Sequence, residues 1–293
     1  MSKAERITGT LSEDVGYPKD LPFYVLPIFF LITFLITWGT VGFYIFVPEL
    51  ATAWFGQISG RHPAFFLATW SPGMSAVLLV LVYGGVAGLK SFLSRLRLWR
   101  CSPYWVVFIA IGLPLVFAAG SLIKGGPLFA PVPPDGVGSL FATLAIMLFL
   151  GPMEEFGWRG VAQPLLQRHL APLWAGVIIG IVWGIWHLPA FYLAGTLQSG
   201  WSFTPFFIGN VVLAVIVTPL FNNAHGSILW PMLFHWQLIN PLWADAQPFD
   251  TYLLVVVAAA VVWLNRDSML SRSGITEVMP SSQGAMHVAD RRG

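Results

Sequence analysis

The chain has few charged residues and almost no cysteine. Only 10% of its 293 residues are Asp, Glu, Lys or Arg, whereas soluble domains carry about 25%. The net charge is +2, and no basic cluster of domain size indicates nucleic-acid binding. The single cysteine, Cys101, cannot form an intramolecular disulfide, and the lack of a CxxC or CxxH pattern excludes a cysteine-based zinc site. A Gly-rich phosphate loop and a GxSxG serine motif are also missing.

Apolar residues are abundant instead. They make up 56% of the chain, and the mean hydropathy is +0.73. A membrane span needs about 20 apolar residues, and a backbone in lipid must be helical. The sequence therefore predicts an all-α polytopic membrane helix bundle of about eight transmembrane helices, with membrane lipids as partners and no nucleic acid. The segments are about 23–47, 63–84, 103–123, 138–156, 172–194, 203–222, 227–243 and 248–264.

The basic residues predict the orientation of this bundle. They follow the second, fourth and eighth segments: Lys90, Arg95, Arg97, Arg100, Arg159, Arg168, Arg266 and Arg272. Because cytoplasmic loops are enriched in Lys and Arg, we expect an integral protein of the bacterial cytoplasmic membrane with both termini in the cytoplasm.

The polar segments divide the chain into a membrane domain and two ends. Residues 1–20 are expected to form a cytoplasmic N-terminal segment and residues 21–265 the eight-helix membrane domain. Within the membrane domain, apolar residues at helical spacing with basic residues between them predict an amphipathic surface helix at about 88–100. Residues 266–293 are polar and are expected to be a disordered cytoplasmic tail.

Two adjacent acids end the fourth apolar segment. A carboxylate at membrane depth is unfavourable by roughly a few kcal/mol and is therefore usually paired or functional. Glu155 lies four residues before Arg159, which favours an ion pair on one helix face. Glu154 points about 100° away from Glu155 and has Trp158 as its own i+4 neighbour, so it is the candidate general base. The alternative is that both acids belong to a structural ion-pair network with Arg159.

Two histidines fall inside other apolar segments. His187 lies in the fifth and His235 in the seventh. A lone histidine in an apolar helix is more often a hydrogen-bonded core residue, but two histidines and two acids in a chain this poor in polar residues favour one shared site. Asn240 and Gln237 are further candidates. Asn240 lies about 140° from His235 on a regular helix, yet it precedes Pro241 and can turn inward where the helix opens.

Three chemistries are compatible with this set of residues. A glutamate can activate water for peptide hydrolysis while His and Asn hold the water and the oxyanion. Alternatively, Glu154, His187 and His235 can bind Zn²⁺, which then activates the water. A transporter relaying protons through Glu and His is the third, although the lack of internal repeats argues against it.

Three motifs resemble those of one protease family. Glu154-Glu-Phe-Gly-Trp-Arg159 resembles the EExxxR motif of the CPBP family, the CAAX-protease and bacteriocin-processing intramembrane proteases. Trp183-Gly-Ile-Trp-His187 resembles the second motif, an aromatic followed four residues later by histidine, and His235 resembles the histidine of the third. The resemblance covers roughly 60–265 and is most specific in 150–240.

The sequence departs from the family pattern at two positions. The second motif usually begins with phenylalanine, and here it begins with Trp183. The third is usually HxxxN, whereas this chain has Ile239 four residues after the histidine and Asn240 one residue later. The second departure motivates an alternative function, a non-catalytic immunity or scaffold protein built on the same fold.

The resemblance implies a function and a role for each site residue. It implies an intramembrane endopeptidase, similar to type II CAAX prenyl endopeptidases, that hydrolyses peptide bonds of membrane-associated proteins or peptides by glutamate-activated water, with no cofactor required. The zinc-dependent form of the same protease is the alternative. The implied roles are Glu154 as base, His187 and His235 positioning the water and stabilising the intermediate, Asn240 as oxyanion donor, and Glu155 and Arg159 ordering the site.

Overall fold

A computed structural model of the chain describes residues 20–272 and 274–280. This part contains helices and no β-strand, with one isolated bridge between Phe129 and Trp243. The helices are α1 Val25–Phe46, α2 Pro48–Phe55, α3 Pro63–Ser94, α4 Pro103–Lys124, α5 Val137–Gln167, α6 Pro172–Trp186, α7 Phe203–Asn223, α8 Leu229–Leu238, α9 Phe249–Leu264 and α10 Arg266–Met269.

Six helical segments in the described residues are long and apolar enough to cross a membrane, namely α1, α3, α4, α5, α7 and α6 with the 3₁₀ turn that continues it to Phe191. The predicted all-helical polytopic fold is therefore confirmed. Each of the last two predicted spans contains a shorter helix. α8 has 10 residues and α9 has 16. The end of α8 has a local cause, since Asn240 precedes Pro241 and a residue before proline disfavours helical geometry.

The buried apolar residues of the described chain form three clusters, and the two larger ones hold most of the helices together. The first contains buried residues of α1, α3, α5 and α6, and the second contains buried residues of α4, α7, α8 and α9. Leu213 of α7 and Leu238 of α8 pack against both clusters. The two halves of the bundle are thus joined through α7 and α8.

Glycines bring α6 into direct backbone contact with α7. Gly176, Gly180 and Gly184 are spaced four residues apart on α6. A Cβ atom at Gly180 would lie 2.5 Å from Cα of Val211, a distance that no side chain tolerates. Small residues at such spacing allow membrane helices to approach closely. The pairing with α7 fixes α6, whose end carries His187.

The last part of α3 contains the first half of the predicted amphipathic surface helix at 88–100, but it packs against the bundle and ends earlier. α3 is broken at Gly85, which has φ 59° and ψ −160°, and the arm that follows ends in a 3₁₀ turn at Arg95–Arg97. Leu89, Phe92 and Leu96 pack against the first cluster. Arg95 is only 1% exposed, so one of the residues assigned to the basic cytoplasmic loop is a buried structural group.

Arg95 donates to backbone carbonyls that the helix α5 leaves without donors. The amide of Gln163 donates five residues back, to Trp158, so the carbonyl of Arg159 loses its usual i+4 donor. Pro164 has no N–H to offer Gly160. The guanidinium of Arg95 donates to the Arg159 oxygen at 3.1 Å and to the Gly160 oxygen at 2.7 Å.

The same guanidinium reaches two further segments. Its Nε donates to the carbonyl of Gly226 at 2.8 Å, and its Nη1 donates to that of Val278 at 3.2 Å. The rings of Phe92 and Phe221 lie within 6 Å of the guanidinium carbon, at 5.8 and 5.5 Å. Arg95 therefore ties the arm after α3, the helix α5, the loop before α8 and the C-terminal segment together.

Residues 274–280 pack against the bundle, which differs from the expected disordered tail. Val278 and Met279 are buried, and their amides donate to the carboxylate of Asp20 at 2.9–3.1 Å. Gln167 donates to the carbonyl of Ile275 at 2.7 Å. The order follows from these specific partners, which composition does not reveal. Residues 1–19 of the predicted N-terminal segment and 281–293 of the predicted tail lie outside the described residues.

Replacing Arg95 with methionine should destabilise the whole bundle. The substitution keeps the length of the side chain but leaves several buried carbonyls without donors. Because hydrogen bonds to charged groups contribute about 1.5–3 kcal/mol each, we expect the free energy of unfolding to fall by about 2 kcal/mol or more. Thermal unfolding in detergent measures this. Arg97→Met is the control, because Arg97 is exposed on the same turn; equal stability of the two variants would contradict the assignment.

Candidate active site

The helix α5 is irregular where it carries the two acids. Its regular part ends at Phe149, and a 3₁₀ turn follows at Gly151–Glu154. A π-helical turn then spans Trp158–Ala162. Such π turns inside α-helices are frequent at functional sites. The irregular turns present Glu154 and Glu155 inside the bundle rather than on its surface.

Glycines allow this irregular segment to lie directly against α3. A Cβ atom at Gly73 would be 2.6 Å from the carbonyl oxygen of Met153. A Cβ atom at Gly157 would be 2.7 Å from the carbonyl oxygen of Pro72. Backbone touches backbone at both points, so the position of the acids is set by α3 as well as by α5.

Glu154 is 3% exposed and is held by two indoles. Its Oε2 accepts from Nε1 of Trp183 at 2.8 Å and from Nε1 of Trp158 at 3.2 Å. Its Oε1 lies 4.0 Å from Nε2 of His235. Among the described residues, no ion pair joins Glu154 to an arginine. This agrees with the four-residue spacing, which pairs Arg159 with Glu155 and places Trp158 beside Glu154.

Glu155 forms the expected ion pair and one further contact. Nη1 of Arg159 lies 3.0 Å from both of its carboxylate oxygens. Nδ1 of His235 lies 2.7 Å from Oε1. Because an ionised carboxylate only accepts hydrogen bonds, Nδ1 carries the proton in this contact. Glu155 thus orients the imidazole so that its Nε2 faces Glu154.

The position of His235 depends on a glycine in α5. A Cβ atom at Gly151 would lie 2.6 Å from Nε2 of His235 and 2.8 Å from Cδ1 of Ile239. The absence of a side chain at this position lets α8 approach the 3₁₀ turn that carries Glu154. The sequence analysis did not identify this requirement.

His187 lies beside the acid–histidine group, within a wall of aromatic rings. Its Nδ1 is 2.9 Å from the carbonyl oxygen of Trp183. The imidazole contacts the rings of Trp186, with centroids 4.7 Å apart, and Phe206, with centroids 5.1 Å apart. It is only partly buried. Its link to His235 runs through Trp183, whose ring contacts both imidazoles.

Asn240 lies apart from this group. Its Nδ2 donates to Gln237 at 3.2 Å, and its Oδ1 accepts from the amide of Leu242 at 3.0 Å. Gln237 in turn donates to the carbonyl of Ile109 in α4 at 3.1 Å. These contacts anchor the end of α8. Among the hydrogen bonds of the described residues, none joins Asn240 to Glu154 or to the histidines.

Trp183 is the site residue that sequence reasoning missed. The sequence analysis used it only as the first position of a motif. In the structure its indole donates to Glu154, and its ring lies 5.4 Å from the guanidinium carbon of Arg159. It also contacts both histidines, as described above. The signal in the sequence was the tryptophan at a position where the family motif usually has phenylalanine, because tryptophan carries a hydrogen-bond donor that phenylalanine lacks.

The described residues contain no group of three or more His, Cys, Asp or Glu side chains that could hold a metal ion. Nδ1 of His187 is engaged by a backbone carbonyl, and Nδ1 of His235 is engaged by Glu155. The zinc-dependent alternative, with Glu154, His187 and His235 as ligands through their remaining atoms, stays a prediction.

The fold and the site together define a class of protein. It is an integral membrane protein in which Glu154, Glu155 and His235 lie buried within a bundle of apolar helices. A carboxylate directed at an imidazole, with a second carboxylate orienting that imidazole, is an arrangement suited to general acid–base chemistry.

Comparison with known proteins supports a specific family. The family model for type II CAAX prenyl endopeptidase, Rce1-like, matches residues 136–239. CAAX prenyl protease 2 of Methanococcus maripaludis is 24% identical over 274 residues, which cover 84% of this chain and 96% of the relative. Both findings support the assignment of the chain to the CPBP family of CAAX proteases that its motifs predicted.

Replacing Gly151 with alanine should displace His235. The added Cβ would meet the imidazole at a distance that forces it to move, because Ile239 blocks the other side. In protein labelled with ¹⁵N-histidine, the ring resonance that disappears in His235→Gln should shift in Gly151→Ala. Gly138→Ala is the control on the same helix, since a Cβ at Gly138 would have no neighbour within 4 Å. An unchanged resonance in Gly151→Ala would refute the close contact.

Proposed function

We propose that this protein is an intramembrane endopeptidase that hydrolyses peptide bonds of membrane-associated proteins or peptides by glutamate-activated water. The observation that carries the proposal is the arrangement of Glu154: two indoles hold its Oε2, and its Oε1 lies 4.0 Å from Nε2 of His235. This distance exceeds a direct hydrogen bond and matches a separation that a water or a substrate oxygen can bridge.

The reaction follows from the direction of these groups. Oε1 of Glu154 takes a proton from water as the water oxygen attacks the carbonyl carbon of the peptide bond. Nε2 of His235 lies across from that oxygen. Because Nδ1 already donates to Glu155, the imidazole acts in this step as an imidazolium, and the proton on Nε2 is donated to the oxyanion of the tetrahedral intermediate. When the C–N bond breaks, Glu154 returns the proton to the leaving amine nitrogen. The products are a carboxylate and an amine, with water consumed.

Glu155 and Arg159 order the site in this mechanism. Both side chains are buried, and Oε1 of Glu155 accepts from Arg159 and from His235 at the same time. The proposed role of His187 is to position the water from the side of α6, since its Nδ1 is held by Trp183. The role of Asn240 as oxyanion donor stays a prediction; to act so, its amide would have to leave Gln237.

The family supports protease activity, and the substrate class remains part of the proposal. The relative from Methanococcus maripaludis is named for CAAX prenyl substrates. We propose that this chain likewise acts on membrane-associated proteins, with lipid-modified C-terminal segments as the first candidates. We further propose a location in the cytoplasmic membrane with both termini inside, supported by the exposed Lys90, Arg97 and Arg100.

Substituting Glu154 with glutamine should abolish hydrolysis. Gln keeps the size of the side chain but cannot accept a proton from water, and general bases contribute about 10²- to 10⁴-fold to rates. We therefore expect a loss of about 100-fold or more in cleavage of a membrane-anchored, prenylated reporter by purified protein in liposomes. Glu49→Gln, at an exposed position of α2, is the control and should retain activity.

The same pair of variants tests the alternative of a non-catalytic scaffold or immunity protein. That alternative requires Glu154→Gln to preserve the biological phenotype of the wild-type chain. Full processing or an intact phenotype in Glu154→Gln would remove the base assignment.

The zinc-dependent form of the same protease is tested separately. Under the favoured mechanism, purified active protein should contain no stoichiometric metal, and chelators should leave the cleavage rate unchanged. Metal content is measured by plasma mass spectrometry on the same sample that is assayed. Near-stoichiometric zinc, together with loss of activity on chelation and recovery on adding zinc, would establish the metal-dependent alternative instead.

A further inference from the structure

Trp183 is the residue through which α6 contacts the proposed base. The side chain is 4% exposed, and its indole nitrogen lies 2.8 Å from Oε2 of Glu154. An indole N–H can only donate, so Glu154 must be the acceptor in this contact. A buried carboxylate without donors is strongly unfavourable. The indole therefore both satisfies Oε2 and restricts the rotation of the carboxylate.

The second indole at Glu154 does not duplicate this function. Trp158 donates to the same oxygen at 3.2 Å, but it lies on α5, four residues after Glu154. Its donor therefore moves with the helix that carries the base. Trp183 comes from α6, so its bond fixes the carboxylate relative to a different helix, the one that ends at His187.

The contacts of Trp183 with the other site residues strengthen this link. Its ring lies over the guanidinium of Arg159, with 5.4 Å from the guanidinium carbon to the ring centroid, within the range of a cation–π contact. Its ring centroid lies 5.4 Å from that of His235, and its carbonyl oxygen lies 2.9 Å from Nδ1 of His187. One side chain thus sets the relative positions of groups from α5, α6 and α8.

We infer that Trp183 is a positioning residue for the proposed base: its N–H holds Oε2 of Glu154 so that Oε1 is directed toward the reacting water between Glu154 and His235. This inference rests on the proposed function. Phenylalanine at this position would fill most of the same space, but it would leave Glu154 with the donor from its own helix, Trp158, and with none from α6. The carboxylate could then turn away from His235 while the bundle stays folded.

The chain offers a matched control on the same helix. Trp186 is 3% exposed, and its indole donates at 2.8 Å to the hydroxyl of Thr37. Trp186→Phe therefore removes a buried indole hydrogen bond of the same length without touching Glu154. A general destabilisation of α6 would affect both variants, whereas a positioning role predicts an effect of Trp183→Phe alone.

The experiment compares cleavage kinetics of Trp183→Phe, Trp186→Phe and wild-type protein in liposomes. We expect kcat to fall about tenfold or more in Trp183→Phe, as for loss of a hydrogen bond to a charged group, with KM changed by less than about twofold. Trp186→Phe keeps an aromatic ring beside His187 and leaves both donors of Glu154 in place, so kcat should fall far less than in Trp183→Phe. In a Glu154→Gln background, Trp183→Phe should cause no further loss, because the group it positions is gone.

A second substitution guards against misfolding. Incorporation of 3-benzothienylalanine at position 183 keeps the bicyclic shape and replaces the N–H with sulfur. It should reproduce the loss of kcat while retaining the wild-type unfolding temperature.

The following results would contradict the positioning role of Trp183. A wild-type kcat with benzothienylalanine at position 183, or an equal loss in Trp186→Phe, would overturn the role of Trp183 while leaving the proposed function intact. Activity in Glu154→Gln would instead overturn the base assignment, and with it this inference. The two failures are therefore distinguishable.

Discussion

The carboxylate of Glu155 is the contact on which the rest of the site depends. It accepts from Arg159 on its own helix and from His235 on α8, which lies 80 positions further along the chain. A buried charge is unfavourable unless it is paired and hydrogen-bonded. Here the carboxylate of Glu155 binds both the guanidinium of Arg159 and the imidazole of His235. The pairing orients the ring of His235, so that Nδ1 faces Glu155 and Nε2 faces Glu154. Glu154 is thereby left as the acid whose Oε1 faces the imidazole of His235 and not an arginine.

The local part of this arrangement could be predicted from the sequence. The four-residue spacing predicted the Glu155–Arg159 pair and the position of Trp158 beside Glu154, because both contacts lie within one turn of a helix. The helical membrane fold followed from composition and from the length of the apolar segments. The contact between Glu155 and His235 could not be predicted, since it depends on how α5 and α8 pack. The small residue that permits it, Gly151, carries no signal in a chain with 29 glycines.

The expectations that differed from the structure involve polar groups with distant partners. Arg95 was assigned to a basic surface segment, but it is buried because α5 leaves the carbonyls of Arg159 and Gly160 without amide donors. Asn240 was expected at the site, and its amide is instead bonded to the side chain of Gln237 and to the backbone of Leu242 just beyond α8; its role stays a prediction. A helix whose backbone pairing is interrupted needs side-chain donors from elsewhere, and the sequence does not show which residue supplies them. The same arrangement occurs in α4. Its π turn at Phe108–Gly112 precedes a proline, and the side chain of Gln237 donates to the carbonyl of Ile109 in that turn.

The hydrogen bonds of Arg95 also impose an order on the assembly of the protein. Its partners lie at Arg159, Gly160, Gly226 and Val278, and a ribosome delivers them in that sequence. The carbonyl of Val278 emerges only after all the described helices have been synthesised. The buried guanidinium therefore reaches its full set of acceptors only after residue 278 has been synthesised. Until then, Arg95 lacks its bond to the C-terminal segment. A nascent chain in the insertion machinery therefore carries Glu155 and Arg159 on a turn whose hydrogen-bond network is incomplete.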